Sequence, residues 1–546
     1  MQFRFFLFFL FSFGTLLAQN RTVGVFQNDA PAFNGYTLFT TGRLTYLIDN
    51  CGHEVRRWTS NYQPGLSVYL LENGNLLRTG RVGGSFSGGG VGGRLELFSW
   101  EGDLLWAWEY ADDRVHQHHD VAPLPNGNIL VLAWERVTAA EAEALGRRPN
   151  TVSSTGLWPE HLVEIRPVGA DSAEIVWQWR LWDHLVQDAA PGLPNYAPGI
   201  ADRPERLDIN TGQPNTSDWV HCNAVSYNPQ LDQIALCSRV LSEIWIIDHS
   251  TTTAEAAGST GGNSGRGGDI LYRWGNPQAY GRGGAVQRRL WGPHDVRWVA
   301  GEHPWAGKLM VFNNGVGRPG GNLSSVEVWA PPLNDLGTYD LNPGQPFGPA
   351  ASDWSYSDAN FYSSNISGAH AVPNGNIVVC EGDDGRFFEV DTLGNTHWSY
   401  INPVGMLGPV SQGQTPANNA TFRVTRYAPG YPAFAGRDLT PGPLVELNPL
   451  PETCVLQTVG NGPEPDAEMR IFVHGNPLRD QLTLQNDTGN ELTVAVADVL
   501  GRLVYRGAHA GETISIACAD WPAGGYVLQV HPAGYHQPMI FNLIKH

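Results

Sequence analysis

The chain has 546 residues, of which only 16% are charged, and its 53 Asp and Glu against 34 Lys and Arg leave a formal net charge of -19 at pH 7. An acidic excess of this size argues against nucleic acid or an anionic membrane as the main partner, because both are polyanions. With so few charges, the 64 Gly, 38 Pro and 19 Trp point to many short strands joined by turns.

The chain opens with "MQFRFFLFFLFSFGTLLAQN", in which one Arg precedes an apolar run from Phe5 to Phe13 and a small-residue site at Ala18. This is the pattern of a secretory signal peptide covering residues 1–18. No later stretch approaches the ~20 apolar residues of a membrane-crossing helix. The expectation is an exported chain, secreted or at the cell surface, without a transmembrane anchor. Six cysteines at 51, 222, 237, 380, 454 and 518 lack CxxC spacing, which disfavours a zinc ribbon or a thioredoxin-like motif. Export permits disulfides, and their pairing stays open.

From residue 30 to 450 one unit recurs. "LLENGNLLRTG" from Leu70, "PLPNGNILVLAWE" from Pro123 and "AVPNGNIVVCEG" from Ala371 each put Asn-Gly before alternating apolar residues, the signature of a hairpin turn. A second element ending in Trp follows each, in "RLELFSWEGDLLWAWEY", "HLVEIRPVGADSAEIVWQWR" and "RFFEVDTLGNTHWSY". Two degenerate copies lead to "ILYRWG" and "SSVEVWAPP". A sixth is split between "FRVTRYAPGYPAF" with "LVELNP" and "TYLIDNCGHEVRRW". Joining first and last strands in one sheet leaves no exposed edge. The repeat predicts an all-β chain with a six-bladed β-propeller over 30–450, a large β-sandwich being the alternative. Residues 451–467 read as a polar linker and 468–546 as the short strands of a small C-terminal β-sandwich.

In a propeller the innermost strand of each blade lines the channel. His119, His221 with Asn223, His294 and His370 all fall where such a strand begins. Alternation along a strand sends His118 the opposite way from His119. His184 in "LWDHLVQD" lies in an insertion, as a cap for the mouth or a structural group. Arg423 and Arg426 open the sixth inner strand, either adding positive charge to the site or lying at the surface. Trp182, Trp219, Trp291 and Tyr362 are candidates to stack on an aromatic ligand. The glycines at 83–93 and 258–268 read as flexible loops, and no Gly-rich phosphate loop opens a helix, so no nucleotide cofactor is expected. Converging imidazoles would also suit zinc or iron, but without CxxC or HExxH spacing the expectation is no metal.

The C-terminal segment resembles the type A sorting domain of proteins exported by the type IX secretion system, through "GNPLRDQLTL", "DVLGRLV", the Gly-Gly-Tyr of "PAGGYVLQV" and a terminus containing Lys545. The opening departs from the family pattern, with His-Gly before Asn476 and Pro477. This resemblance implies a partner in the secretion machinery. From about Gly35 to Leu447 the chain resembles the bacterial arylsulfate sulfotransferases, through "TYLIDNCGHEVRRW", "DWVHCNAVSYNPQLDQI", "SEIWIIDHSTTTAEAA", "GPHDVRWV", "VFNNGVGRPGGNLSSVEV" and "SGAHAVPNGNIVVCEGDDGRFFEV". The resemblance implies ping-pong transfer of a sulfo group from an aryl sulfate donor to a phenolic acceptor, without a nucleotide sulfate. His294 in "GPHDVRW" matches the nucleophile, and His221, Asn223 and Arg239 match residues that hold the sulfate. His119 is the candidate to protonate the leaving phenolate or bind sulfate. Two competing readings are a non-catalytic propeller that binds a polymer or protein and an aryl sulfatase-like hydrolase on the same site.

Overall fold

The computed structural model describes residues 20–301, 303–451 and 453–456 and, towards the C terminus, 471–474, 478–486, 490–498, 502–532 and 539–545. The expected signal peptide, all but five residues of the expected linker, Asn476 and Pro477, and the middle of "DVLGRLV" lie outside these. The chain is all-β in its architecture and divides into two compact units, Met1–Gln457 and Thr458–His546.

Among the described residues the first unit holds six antiparallel sheets of four or five strands, beside two short two-stranded ones. The first comprises Pro64–Leu70, Leu76–Arg81, Gly93–Phe98 and Leu104–Glu109. The second comprises Val115–Pro123, Ile129–Glu135, Glu160–Val168 and Ser172–Arg180. The third runs from Cys222–Asn228 to Tyr272–Trp274, and the fourth from His294–Trp298 to Trp354–Tyr356. In the fifth, Gly24–Asn28 adds a strand beyond the series Gly368–Ala371 to Thr396–Ile401. The sixth joins the two ends of the unit: Thr425–Tyr427 pairs with Tyr36–Thr41, which continues to Leu44–Ile48 and Glu54–Thr59. "LVELNP" adds no strand to that sheet. It makes single bridges, Leu444 to His53 and Leu447 to Ser411.

The Asn-Gly turns share one construction. In each of the three, glycine takes the left-handed conformation (Gly74 φ 86°, Gly127 86°, Gly375 91°). The Asn before it accepts the N–H two residues on, at 2.9–3.1 Å. This side-chain turn and the missing Cβ together fix the hairpin locally.

Tryptophans fasten the sheets to one another. Trp58 Nε1 donates to Ser99 O, Trp106 to Ser172 O, Trp179 to Gly268 O, Trp274 to Pro349 O, Trp354 to Thr392 O and Trp398 to Asn50 O, all at 2.7–2.9 Å. Each bond leaves the fourth strand of one sheet, counted from its first, for the next sheet, and the last returns to the sixth. One expected closing residue differs. Trp329 lies on the third strand of its sheet, stacks on Trp274 at 4.0 Å and donates to Tyr272 Oη. The fastening role falls to Trp354, on a short strand whose "DWSY" carries no alternating pattern to reveal it.

In the second unit, Ile471–His474, Gln481–Asn486 and Thr513–Ala517 form one sheet, and Leu503–His509, Leu492–Asp498, Gly524–Pro532 and Met539–Lys545 another. Alternate residues from both, including Leu482, Leu484, Val494, Val496, Ile514 and Leu528, share one core.

Cys51 is disulfide-bonded to Cys454 across 403 residues of sequence, while Cys222, Cys237, Cys380 and Cys518 are buried thiols. A cross-link over so long a loop restricts the unfolded chain, typically by about 2–4 kcal/mol. The Cys51→Ser/Cys454→Ser double variant is expected to unfold at lower denaturant concentration by that amount. Chemical denaturation of the oxidised protein and the variant measures it.

Candidate functional site

The first strands of the sheets converge, and a β-bulge interrupts their pairing at three of the predicted histidine positions. Register shifts lie opposite residues 117–121, between Cys222 and Ala224, and between His294 and Arg297. His119 (φ 50°), His221 (φ 48°) and Asp295 (φ 55°) take the left-handed conformation there. A bulge re-aims side chains. The expected alternation therefore fails at residue 118: His118 Nδ1 and His119 Nδ1 lie 2.9 Å apart. The Asp of each His-Asp pair turns inward instead.

Those aspartates meet at Arg423. Its Nη1 donates to Asp120 Oδ2 and to Asp295 Oδ1, 2.9 Å each, and its Nη2 donates to Asp120 Oδ1 and the Tyr69 hydroxyl. Asp120 Oδ2 also accepts Val225 N–H at 3.1 Å, Asp295 Oδ2 accepts Ala369 N–H at 3.1 Å, and Asp295 Oδ1 accepts Arg297 Nε at 2.9 Å. Residues from five sheets, and Arg423 from the segment leading into the sixth, thus join one buried ionic cluster.

On the other side of the same strands, His119 and His221 lie edge to face with centroids 4.6 Å apart. Asp218 accepts from His221 Nδ1 through Oδ2 and from Trp134 Nε1 through Oδ1, the latter at 3.2 Å. His294 is 2% exposed, and its Nδ1 lies 2.7 Å from Asn314 Oδ1. Asn314 spends its amide N–H groups on Ser363 O and Ile366 O at 2.9 and 3.1 Å, so its oxygen faces His294 and must accept. The proton is held on Nδ1, and Nε2 is the lone-pair nitrogen. Burial lowers the His294 pKa to about 3, helped by the positive charge of Arg239. The ring is neutral at physiological pH.

Arg239 donates its backbone N–H to His221 O at 3.0 Å. Among the described residues its guanidinium has no ion pair or hydrogen bond, while its charge acts on both His119 and His294. Asn223 is fully buried, donates Nδ2 to Pro293 O at 2.9 Å, and leaves Oδ1 without a partner among the described residues.

Four predicted residues lie elsewhere. His370 accepts Arg426 N–H at 2.9 Å. His184 spends both ring nitrogens, on Asp269 Oδ1 and Ala256 O at 2.9 and 2.8 Å, and stacks on Trp179, so it braces the insertion. Neither arginine is at the surface. Arg423 is spent on the cluster above, and Arg426 donates to Glu389 at 2.6 Å under the Trp398 ring. Of the stacking candidates, Trp219 is core, whereas Trp291 is half-buried between the guanidinium groups of Arg288 and Arg318.

Sequence reasoning missed the glycine run. A Cβ on Gly90 would fall 2.2 Å from the His119 ring, one on Gly89 3.4 Å from His221, and one on Gly88 3.0 Å from Asp218. Gly90 O accepts His119 N–H at 2.8 Å. The stretch read as a flexible loop is a strap laid on the histidines, and glycine permits that approach. It also lines a cavity of about 490 Å³ with Gln63 and Arg81. Among the described residues, no group of three or more His, Cys, Asp or Glu stands in metal-holding geometry.

A family model described as arylsulfotransferase (ASST) matches residues 36–404, and one described as a secretion system C-terminal sorting domain matches 473–537. The latter marks the chain for secretion or display at the cell surface. No curated protein matches the chain. Among solved structures, a protein of unknown function from Bacteroides caccae is similar at 10% identity and TM-score 0.38, covering 72% of this chain and 98% of that one. A periplasmic gluconolactonase from Pseudomonas aeruginosa matches at 13% identity and TM-score 0.34 (72% and 99% covered). The Cps50 (Swd1) β-propeller domain from Myceliophteria thermophila matches at 10% and 0.33 (70% and 87%).

Replacing Arg423 by Met leaves Asp120 a buried carboxylate without a guanidinium and Asp295 with Arg297 alone. The expected loss is about 3–5 kcal/mol of unfolding free energy, to be read from denaturant unfolding against wild type.

Proposed function

The chain belongs to the arylsulfotransferase family, and from that premise we propose that it moves a sulfo group from an aryl sulfate to a phenolic acceptor through a sulfohistidine at His294. We read its six sheets as the blades of one propeller and its C-terminal unit as a sorting β-sandwich. The observation that carries the reading is the His294–Asn314 hydrogen bond, which holds a neutral imidazole with Nε2 as its lone-pair nitrogen. That nitrogen attacks sulfur, the S–O(aryl) bond breaks, and the phenolate leaves. Arg239, without a carboxylate partner among the described residues, suits the sulfonate oxygens with its planar fork. His221, oriented by Asp218, adds a second polar group beside them, and Asn223 ties its strand to Pro293. His119 faces the leaving oxygen. Fixed donors around a developing negative charge are the main source of rate in such a site.

A donor that releases a coloured phenol, supplied with and without a second phenol, tests this. Acceptor-dependent release and a sulfo adduct on His294 are expected, and His294→Ala should fall to background. Release into water alone would identify a hydrolase instead. No release from any of a panel of aryl sulfates would favour a propeller that only binds.

The pH profile is a second test. Because the His294 pKa is lowered to about 3, the nucleophile is unprotonated throughout the neutral range, and sulfation by a nitrophenyl donor should be level from about pH 5 to about pH 8. An acidic limb centred on the ordinary imidazole value would count against His294 as the nucleophile.

A further inference from the structure

Behind His119 lies a buried hydrogen-bonded chain that takes no part in holding a sulfate. His119 Nδ1 is 2.9 Å from His118 Nδ1, and His118 Nε2 is 3.0 Å from Glu160 Oε2. His118 and Glu160 are 0% exposed and His119 is 3% exposed. Trp134 stacks on the His118 ring with centroids 4.0 Å apart, and Cys222 N–H holds Glu160 Oε1 at 2.8 Å. Each of the two bonds needs one proton, and two arrangements supply it. In one, the Glu160 carboxyl donates to His118 Nε2, His118 Nδ1–H donates to His119 Nδ1, and His119 presents an N–H at Nε2. In the other, a Glu160 carboxylate accepts from His118 Nε2–H, His118 Nδ1 accepts from His119 Nδ1–H, and His119 presents a lone pair at Nε2. The second holds one proton fewer than the first, and passing between them moves protons alone, so no ring has to turn.

We propose that Glu160 and His118 act through His119 as a proton relay, giving a proton to the departing phenolate and recovering one from the acceptor phenol. The proposal rests on the sulfo-transfer reading and deepens it, because it matches the site to ordinary, weakly acidic phenols on both sides of the reaction. In the first half, His294 Nε2 bonds to sulfur and the S–O electron pair stays on the phenol oxygen. That oxygen takes the His119 Nε2 proton, His119 Nδ1 takes one from His118 Nδ1, and His118 Nε2 takes the carboxyl proton of Glu160. The products are a sulfo-imidazolium, a neutral phenol and a carboxylate. In the second half, the acceptor oxygen bonds to sulfur and the N–S pair returns to His294. The acceptor's proton then travels back through His119 and His118 to Glu160. Burial supports the neutral resting arrangement, pushing the Glu160 carboxyl well up, His119 well down and His118 down to about 3. With no member exposed to water, the proton is stored inside the protein between the two halves.

Glu160→Gln tests the relay. The amide can keep both neighbours, accepting Cys222 N–H and donating to His118 Nε2, but it holds no transferable proton and locks His119 with Nε2–H. Sulfation of His294 by 4-nitrophenyl sulfate, whose phenolate leaves unaided, should stay within about 3-fold of wild type. With phenyl or 4-methylphenyl sulfate it should fall on the order of 10², the usual scale of general acid catalysis. Discharge to an unactivated phenol should fall likewise. His118→Gln should show the same dependence on the leaving group, and the melting midpoint of each variant checks its fold. A uniform loss across donors, or no loss with any, overturns the relay. No sulfo adduct on His294 in the wild type overturns the transfer reading itself, and the relay with it.

Discussion

The first unit is organised around a charge cluster that would be costly if any part were missing. Arg423 faces two carboxylates, Asp120 and Asp295, in a region where all three are at most 5% exposed. Removing three ions from water is unfavourable unless nearly every lone pair finds a donor. Here the guanidinium, the Tyr69 hydroxyl, Arg297 and the backbone N–H groups of Val225 and Ala369 supply those donors. The arrangement works only when six sheets present their first strands in one register, so the cluster selects that register. It also aims the chemistry. Asp120 follows His119 and Asp295 follows His294, and the bulged backbone that turns each aspartate to the centre turns its histidine to the other side.

The periphery is held differently. Six indoles fasten each sheet to the next, combining a large apolar ring with one directed hydrogen bond. Ions set orientation at the centre, and indoles supply buried area near the rim. The histidines proposed to react lie close to the ionic cluster, and His294 takes its tautomer from Asn314 on the neighbouring strand end of its own sheet. Preorganisation of this kind is what a site needs if it is to meet charge that appears only during reaction.

Much of the fold could be read from the chain because its hairpins are locally coded. Asn-Gly at 73–74, 126–127 and 374–375 carries its own turn geometry, and the alternation after each is that of a half-buried strand. His119, His221 and His294 were legible as a set because the repeat aligned them. What escaped was non-local or depended on backbone conformation. A positive φ at His119 cannot be seen in "QHHDV", so His118 was sent the wrong way. Arg423 finds its carboxylates 303 and 128 residues away, and Arg426 finds Glu389, 37 residues back, on the neighbouring sheet, so surface exposure stood as an equal alternative for them. Glycines 88–90 were read for flexibility, when what they provide is the absence of a side chain beside an imidazole. Asp218, Glu160 and Asn314 carried no signal of their own. Each enters the site through the histidine it touches.

The split sixth sheet has a consequence in time. Its innermost strand, Thr425–Tyr427, lies almost 400 residues after the strand it pairs with. A ribosome delivers those residues near the end of the unit, and Arg423 arrives with them. Until then, Asp120 and Asp295 have no arginine between them, the sixth sheet lacks its first strand, and Cys51 has no Cys454 to meet. The emerging chain therefore completes neither its inner ionic cluster nor its sixth sheet before that last strand arrives. The final stitch, an oxidised cystine, waits for a compartment where thiols can be oxidised.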